Sequence, residues 1–336
     1  MNILLRKQGL GLASLRNIIS KMETNSRIFR VDLGTRLVPT HDYAFNWGNT
    51  GTQGYSFNNL VNKPDAILEI SNKGKFRKKL FEAGLSMPTA LMNDYSSFNS
   101  FPALLRPANH MGGTNILKVD DMSALTQNRT RFGSSAYVSQ YIAKVAEYRV
   151  FITQGRVAYV VQKIVDDTSA IAWNVNQGGK FVNIRFDSWP LRVVRTSVEA
   201  FCLTSLDFGA VDVIVDSNGN VYVLEINSAP AMTSEYWTTC VAKTFDYIVN
   251  NGVDRIKELG YVVKTRIVEK DELYLHTDYR RDLNYNYCKK VDYVMWGETD
   301  SLFPKEAFQV IETLSVYTRE QNIHRYLLSF SDRKMW

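Results

Sequence analysis

Three side chains that could bind a metal ion occur in one stretch, DFGAVDVIVDSNGNVYVLEIN, at residues 207–227. Asp212 and Glu225 flank a turn with an Asn-Gly pair at its tip, which is a strong signal for a β-hairpin. Asn227 follows Glu225 by two positions, so both side chains share one strand face, and Asp212 can face them across the ladder. Two carboxylates and an amide oxygen suit Mg²⁺, which binds few protein oxygens together with phosphate oxygens.

Apolar residues alternate with these polar ones and are predicted to pack on the opposite face of the hairpin: Val211, Val213, Leu224 and Ile226. Leu224 or Ile226 is alternatively a contact for a nucleotide base. The competing interpretation of Asp212 and Glu225 is that they are solvated strand residues. Charges are costly in an apolar sheet unless something pairs them, which favours a site.

Basic residues that could hold a polyphosphate lie on predicted strands or at helix starts: Lys73, Arg106, Arg149 and Lys163. Arg106 stands in the apolar run ALLRP, where a strand does not otherwise favour a charge. Gly112 and Gly113 follow at loop distance, and their backbone N–H groups could close over phosphate oxygens. Taken singly, a glycine pair is a weak signal and a lone basic residue is usually on the surface.

Periodicity predicts the elements that must position these residues. Short strands ILL and RIFRVDL flank a helix near residues 13–22, and residues 41–59, rich in Gly, Asn and aromatics without a period, are predicted to be a loop. A helix follows Asn72 and ends at Gly84. Strands are predicted for FPALLRP, AYVSQYI, EYRVFI and RVAYVVQKI, the last two joined at Gln154-Gly155. Two more helices are predicted, at 192–206 and around Trp237, Val241, Phe245 and Ile248.

Composition bounds the class of protein. The chain has 336 residues, 45% hydrophobic and 22% charged, with a net charge of +6 and three widely spaced cysteines. This composition is typical of a globular protein in a reducing cytosol. No apolar stretch reaches 18 residues, which predicts no membrane span. The basic residues form no run, which argues against a nucleic-acid partner.

The order of these motifs resembles the ATP-grasp superfamily, and within it the RimK-like glutamate ligases and glutathione-synthetase-like carboxylate–amine ligases. The similarity covers about residues 67–250, and the LEIN hairpin with its Ser-Ala-Pro sequel is the most specific part. The resemblance implies an α/β (α+β) fold in which two α+β subdomains clasp ATP.

The predicted organisation follows from that resemblance. Residues 1–66 form a pre-ATP-grasp α/β unit, and 67–252 form the ATP-grasp domain, with a smaller subdomain at about 67–135 and a larger one at about 136–252. Residues 253–336 form a short α/β C-terminal extension. In it, Glu298-Thr299-Asp300 after an apolar strand resembles the metal-binding end of a glycosyltransferase strand, although an ordinary structural role is favoured.

Nucleotide-binding roles are implied for several matching positions. Lys73 and Arg106 correspond to lysines that touch the phosphates, and Gly112 and Gly113 to the loop that covers them. The hinge at Gln140, Tyr141 and Ile142 presents its backbone to the adenine edge, and Glu147 holds the ribose hydroxyls. Leu224 is added to the nucleotide-binding residues from its place in the hairpin, as a contact for the base.

Catalytic and metal-binding roles are implied in the same way. Arg149 and Lys163 match basic residues near the phosphates and the acyl group, and Asn174 matches a loop of the form NxxxGG. Asp212, Glu225 and Asn227 match the metal ligands. The chain departs from the family at Arg106, where lysine is usual, at Gln140, where an acid is usual, and at Lys163, where arginine is usual.

The resemblance implies a ligase that forms C–N bonds from ATP, Mg²⁺ (or Mn²⁺), a carboxylate and an amine through an acyl phosphate. The expected substrates are small molecules or peptides, and the expected location is the cytoplasm. The oligomeric state stays open between a monomer and a homo-oligomer, the form that is common among members of the family. Two alternatives stay open: a kinase-like phosphotransferase and a nucleotide-binding protein without turnover. A minor alternative is a bifunctional protein with a sugar-nucleotide-binding C-terminal piece.

Overall fold

A computed structural model describes residues 1–9, 11–34, 37–108, 115–167, 170–171, 173, 179–185 and 188–253. Three β-sheets are formed within these ranges. The predictions for the C-terminal extension, including Glu298 and Asp300, lie outside the described residues. No helix in the described ranges is both long enough and apolar enough to cross a membrane.

The first sheet is parallel and has the order β2-β1-β3-β4. Its strands are β1 (Asn2–Arg6), β2 (Ser26–Arg30), β3 (Ala44–Asn46) and β4 (Leu60–Val61). Helix α1 (Leu12–Ile19) connects β1 to β2, since neighbouring parallel strands need a crossover. β1 is buried along its whole length, in keeping with its place between two other strands and with the apolar residues at its centre, although Asn2 and Arg6 at its ends are polar.

The prediction of a loop over residues 41–59 is wrong in part, because this stretch contains β3. All three residues of β3 are buried, and the strand pairs with β1. A three-residue strand buried on both faces has no alternation to detect, which is why the sequence did not reveal it.

The second sheet is antiparallel and has the order β5-β8-β6-β7. Helices α2 (Pro64–Ser71) and α3 (Lys73–Glu82) precede it. Its elements are β5 (Thr89–Leu91), β6 (Ala103–Arg106), β7 (Leu117–Val119), α4 (Met122–Asn128) and β8 (Tyr137–Gln140). β8 follows the predicted subdomain boundary at residue 135 and nevertheless pairs with β5 and β6, so we propose that the smaller subdomain extends through Gln140.

The third sheet is antiparallel and has the order β11-β10-β9-β12-β13. Its strands are β9 (Lys144–Thr153), β10 (Arg156–Ile164), β11 (Lys180–Asn183), β12 (Phe208–Asp216) and β13 (Val221–Asn227). Helices α5 (Leu191–Cys202) and α6 (Glu235–Asn251) complete the described part of the chain.

The two faces of the third sheet are covered differently. Helix α5 packs on the face that carries Val150, Val211 and Val213. On the other face, the rings of Phe208 and Phe245 lie 4.9 Å apart, which brings α6 against β12. This α6-side core also contains residues of the first sheet, so one apolar core joins the first and third sheets.

Most predicted elements are confirmed, including the helix that carries Trp237, Val241, Phe245 and Ile248, all buried. The Asn-Gly turn joins β12 to β13, with Gly219 at a positive φ of 77°. Gly84, at a φ of 74°, follows the end of α3 as predicted. No sequence pattern indicates α2, β4, β5, α4, β7 or β11, which are short or, in β11, largely exposed.

Candidate active site

Alternation along β9 places Glu147 and Arg149 on the face of the third sheet that the α6-side core shares, while Tyr148 and Val150 face α5. The cross-strand partners extend this polar row. Lys163 on β10 is opposite Glu147, and Asp212 on β12 is opposite Arg149. On this face of the sheet, the paired charges therefore lie next to the aromatic residues of the α6-side core.

The three predicted metal ligands come together at the ends of β12 and β13. Glu225 is directly opposite Asp212 in the ladder. The Asn227 side-chain amide donates to Glu225 at 3.1 Å and to Asp212 at 3.3 Å. The structure thus places two carboxylates and one amide within hydrogen-bonding distance on a single face, as the alternation predicts.

Each of the two carboxylates also has a basic partner. The Arg149 guanidinium donates two parallel hydrogen bonds to Asp212, from Nε at 2.7 Å and from Nη2 at 2.8 Å. Burial disfavours the charge of Arg149, but the Asp212 carboxylate outweighs it and raises the pKa of the guanidinium. Lys73, the first residue of α3, donates to Glu225 at 2.6 Å.

The pKa of Glu225 is lowered, which reflects the positive charges around its carboxylate. Burial on its own raises the pKa of this carboxyl group, since it penalises the charged form. The Lys73 ammonium and the Asn227 amide outweigh burial and lower the pKa to about 2, from an ordinary value of 4.5. Glu225 is therefore a carboxylate at neutral pH and able to bind a cation.

A second charged cluster surrounds Glu147. Both carboxylate oxygens are bound, one by Lys163 and the other by Lys144 at 2.5 Å. All three side chains are at most 8% exposed. The Lys144 ammonium also lies 4.6 Å from the centre of the Trp173 ring, close enough for a cation–π interaction.

Positive charge is in excess across the site. Six basic side chains lie near three carboxylates: Lys73, Arg77, Arg106, Lys144, Arg149 and Lys163 beside Glu147, Asp212 and Glu225. Burial lowers the pKa of Lys144, and the neighbouring charges of Lys163 and Arg106 lower it further, whereas Glu147 opposes the shift. An excess of three buried or half-buried positive charges suits a polyanion such as a nucleotide triphosphate.

Comparison with known proteins connects this geometry to a fold. No protein-family model matches the chain. A D-alanine–D-alanine ligase from Glaesserella parasuis serovar 5 (strain SH0165) is 25% identical over 206 residues, which cover 55% of this chain and 67% of the relative.

Solved structures match a larger part of the chain. A D-alanine–D-alanine ligase from Bacillus anthracis superposes with a TM-score of 0.53 at 17% identity, covering 75% of this chain and 97% of its own. The ATP-grasp ligase PsnB, complexed with a minimal precursor, gives 0.52 at 13% identity, with coverages of 72% and 97%. The D-cycloserine synthetase DcsG gives 0.53 at 12% identity, with coverages of 74% and 99%.

The chain has the ATP-grasp fold. The predicted fold class is thereby confirmed, since these relatives match across nearly their whole length. We propose that the second sheet belongs to the smaller α+β subdomain of the predicted organisation and the third sheet to the larger one.

The predicted nucleotide-binding residues are described in part. Arg106 ends β6 and is 9% exposed, and its Nε has no hydrogen-bond partner among the described residues. The backbone N–H groups of Gln140 and Tyr141 donate to carbonyls of the smaller subdomain, at 2.9 and 2.8 Å. A base at this hinge would therefore meet carbonyl groups or the backbone of Ile142. Gly112, Gly113 and Asn174 lie outside the described residues.

The residues fit Mg²⁺ and ATP. The Asn227 amide is oriented here by hydrogen bonding, and rotation by half a turn presents its oxygen beside the two carboxylates. The described residues contain no group of three His, Cys, Asp or Glu side chains arranged to hold a metal. A site with two carboxylates and one amide suits a cation that also binds phosphate oxygens and water. A buried guanidinium N–H without a partner, as in Arg106, suits a phosphate ligand.

Three contributors to this site were not predicted. Lys144 is the first residue of β9, three residues before Glu147, and no sequence pattern indicates that it belongs to the site. Arg77 follows Lys73 by four residues, so helical spacing places both on one face of α3, and that signal could have revealed it. Phe181 on β11 lies 4.9 Å from the Arg149 guanidinium and 5.4 Å from the Lys163 ammonium, measured to its ring centre.

Proposed function

We propose that the chain is an ATP- and Mg²⁺-dependent carboxylate–amine ligase that works through an acyl phosphate. The observation that carries the proposal is the joined cluster of Asp212, Glu225 and Asn227, whose carboxylates are bound by Arg149 and Lys73. The excess of buried positive charge beside this cluster supports a polyphosphate substrate.

The proposed roles fall on three groups of residues, which bind the metal, the phosphates and the nucleoside. Asp212, Glu225 and Asn227 hold Mg²⁺, which neutralises phosphate charge when it is bound. Lys73, Arg106, Arg149 and Lys163 bind phosphate oxygens and stabilise charge that develops during transfer. Glu147, the hinge at Gln140–Ile142 and Leu224 form the nucleoside end. Gly112 and Gly113, expected to cover the phosphates and exclude water, and Asn174, expected to be catalytic, lie outside the described residues.

The proposed reaction has two steps. A substrate carboxylate oxygen attacks the γ-phosphorus, the bond to the β–γ bridging oxygen breaks, and ADP leaves. The amine nitrogen then attacks the acyl carbon, loses a proton, and displaces inorganic phosphate to form an amide. Each step is a displacement between positioned groups, for which orientation and electrostatics supply most of the rate enhancement.

The relatives favour a ligase over a kinase. The curated relative and the solved structures are described as D-alanine–D-alanine ligases, an ATP-grasp ligase complexed with a precursor, and a D-cycloserine synthetase. These names support an amino acid or a peptide as the carboxylate substrate. A ligase of this class releases ADP when both a carboxylate and an amine are present.

The test is an ADP-release assay across pairs of amino acids and peptides, with and without Mg²⁺. We expect release that requires Mg²⁺ and both substrates. Hydroxylamine in place of the amine should trap the acyl phosphate as a hydroxamate, which a colorimetric assay detects. A stable phosphorylated product that resists hydroxylamine would instead support the kinase-like alternative, and ATP binding without ADP release would support a protein without turnover.

A further inference from the structure

Strand β13 contains a bulge next to its metal-binding residue. Val213 pairs with Val223, and the preceding residue of β12, Asp212, pairs with Glu225. Leu224 therefore has no partner in the ladder and is the extra residue of a β-bulge. A bulge changes the phase of a strand by one residue and re-aims the side chains beyond it.

This change of phase aligns the two carboxylates. If the register set by Val213 and Val223 continued without a shift, Asp212 would be opposite Leu224, and Glu225 would be opposite Val211. Because the bulge shifts the register, Asp212 and Glu225 are directly opposite each other and share one face, which lets the Asn227 amide contact both. The arrangement of the proposed metal ligands therefore depends on the bulge.

The bulge leaves a carbonyl group that Arg77 satisfies. Arg77 lies on α3 with 3% exposure, and its Nε donates to the Leu224 carbonyl at 3.0 Å, with a second, shorter bond from Nη2. This carbonyl belongs to the peptide group that joins Leu224 to Glu225. Two hydrogen bonds from one planar guanidinium fix the orientation of that peptide group as well as its position.

Other contacts hold the neighbouring backbone of the same strand. The Val223 N–H donates to the Leu85 carbonyl at 2.9 Å, and the Ser86 hydroxyl donates to the Val223 carbonyl at 2.7 Å. These bonds attach the outer edge of β13 to the segment that follows α3. Of these residues, Arg77 is the one that binds Leu224, the residue directly before Glu225.

Helix α3 consequently holds Glu225 in two ways. Lys73 binds the Glu225 carboxylate, and Arg77, one helical turn later, binds the preceding carbonyl. The Arg77 guanidinium also lies 5.5 Å from the centre of the Tyr137 ring on β8. One side chain thus links the metal-binding strand of the larger subdomain to the sheet of the smaller one.

We propose that Arg77 is a positioning residue that holds the Leu224 bulge and thereby aligns Glu225 with Asp212 for metal binding. The role rests on the proposed function, because it concerns the same metal site. Loss of Arg77 should weaken Mg²⁺–nucleotide binding even though its side chain touches neither carboxylate. Partners that orient metal ligands typically affect metal affinity by roughly 10- to 100-fold when removed.

The test measures Mn²⁺ binding by electron paramagnetic resonance in the presence of a non-hydrolysable ATP analogue. We expect Arg77→Met to raise the dissociation constant for Mn²⁺ by roughly tenfold or more. Arg77→Lys should give a smaller increase, because an ammonium is a single point donor and not a fork. Lys75→Met, at an exposed position on the same helix, is the matched control and should leave the constant unchanged.

A merely structural role gives a different result. If Arg77→Met lowers stability to urea while folded Arg77→Met and Arg77→Lys bind Mn²⁺ as the wild type does, the positioning role is overturned. If Arg77→Met does not fold, Arg77→Lys decides the question by the same constant. If the wild-type protein does not bind Mn²⁺ in the presence of the nucleotide, the proposed function itself is contradicted. If the wild type and the folded Arg77 variants bind Mn²⁺ with equal affinity, only the role of Arg77 is contradicted.

Discussion

Removal of the Arg149 charge should destabilise the fold through the carboxylate that it leaves behind. The side chains of Arg149 and Asp212 are 15% and 7% exposed, so Arg149→Met strands a buried negative charge. Breaking such a pair costs about 3–5 kcal/mol. We expect the lower end, about 3 kcal/mol, because the Asn227 amide still donates to Asp212. Methionine keeps most of the apolar length of the side chain, so lost packing contributes little.

A double-mutant cycle separates the stranded charge from other effects. Adding Asp212→Asn to Arg149→Met removes that charge, and the double variant should regain about 2 kcal/mol relative to the sum of the single changes. Urea unfolding at neutral pH measures each free energy. Arg195→Met breaks an exposed pair on α5 and should cost at most about 1 kcal/mol. Equal urea midpoints for Arg149→Met and Arg195→Met, or purely additive changes in the cycle, would show that the unpaired Asp212 charge does not destabilise the fold.

Three further predictions concern the fold and its response to pH. Phe245→Ala should lower the free energy of unfolding by about 3–5 kcal/mol, because this buried ring stacks on Phe45 at 4.2 Å; Tyr247→Ala, exposed on the same helix, is the control in urea unfolding. Gly11→Ala should destabilise the protein more than Gly9→Ala and change tryptophan fluorescence. Both glycines have positive φ, but an added Cβ at Gly11 would lie 2.5 Å from the Trp47 ring nitrogen, whereas at Gly9 it would meet nothing within 4 Å. The lowered pKa of Glu225 stabilises the fold fully above its ordinary value of 4.5, and this contribution is lost as the pH falls from 4.5 towards 2. Lys73→Met should therefore move acid unfolding, followed by circular dichroism, to higher pH, and an unchanged midpoint relative to Lys75→Met would contradict it.

The sequence predicts the cluster of Asp212, Glu225 and Asn227 because the hairpin signal and side-chain alternation are both local. An Asn-Gly turn approximately fixes which residues of the two strands are opposite each other. The two-residue alternation of the strand then fixes the face on which each side chain lies. The long strands and the helix around Phe245 are predictable for the same reason. Strand β3 is not, because three buried residues contain no period.

The bulge at Leu224 could not be predicted from the sequence. Strict alternation places Leu224 with the apolar residues that pack under the hairpin, whereas in the structure it is half-buried and interrupts the ladder. The hydrogen bonds to its carbonyl come from Arg77, more than 140 residues away in the chain, and no local pattern indicates such a contact. Lys144 could not be predicted for a similar reason, because its contacts with Glu147 and Trp173 exist only in the folded structure.

We propose that Glu225 belongs to a metal site used in ATP-dependent ligation. The most direct test compares Mg²⁺-dependent ADP release by wild type, Glu225→Gln and Glu199→Gln, with a substrate pair that supports turnover. Glu199 forms an exposed pair on α5 and provides a matched neutralisation away from the site. We expect Glu225→Gln to lower the rate of ADP release by at least about 100-fold in a protein whose circular dichroism is unchanged, and Glu199→Gln to keep full activity. Full activity in a folded Glu225→Gln variant would contradict this proposal.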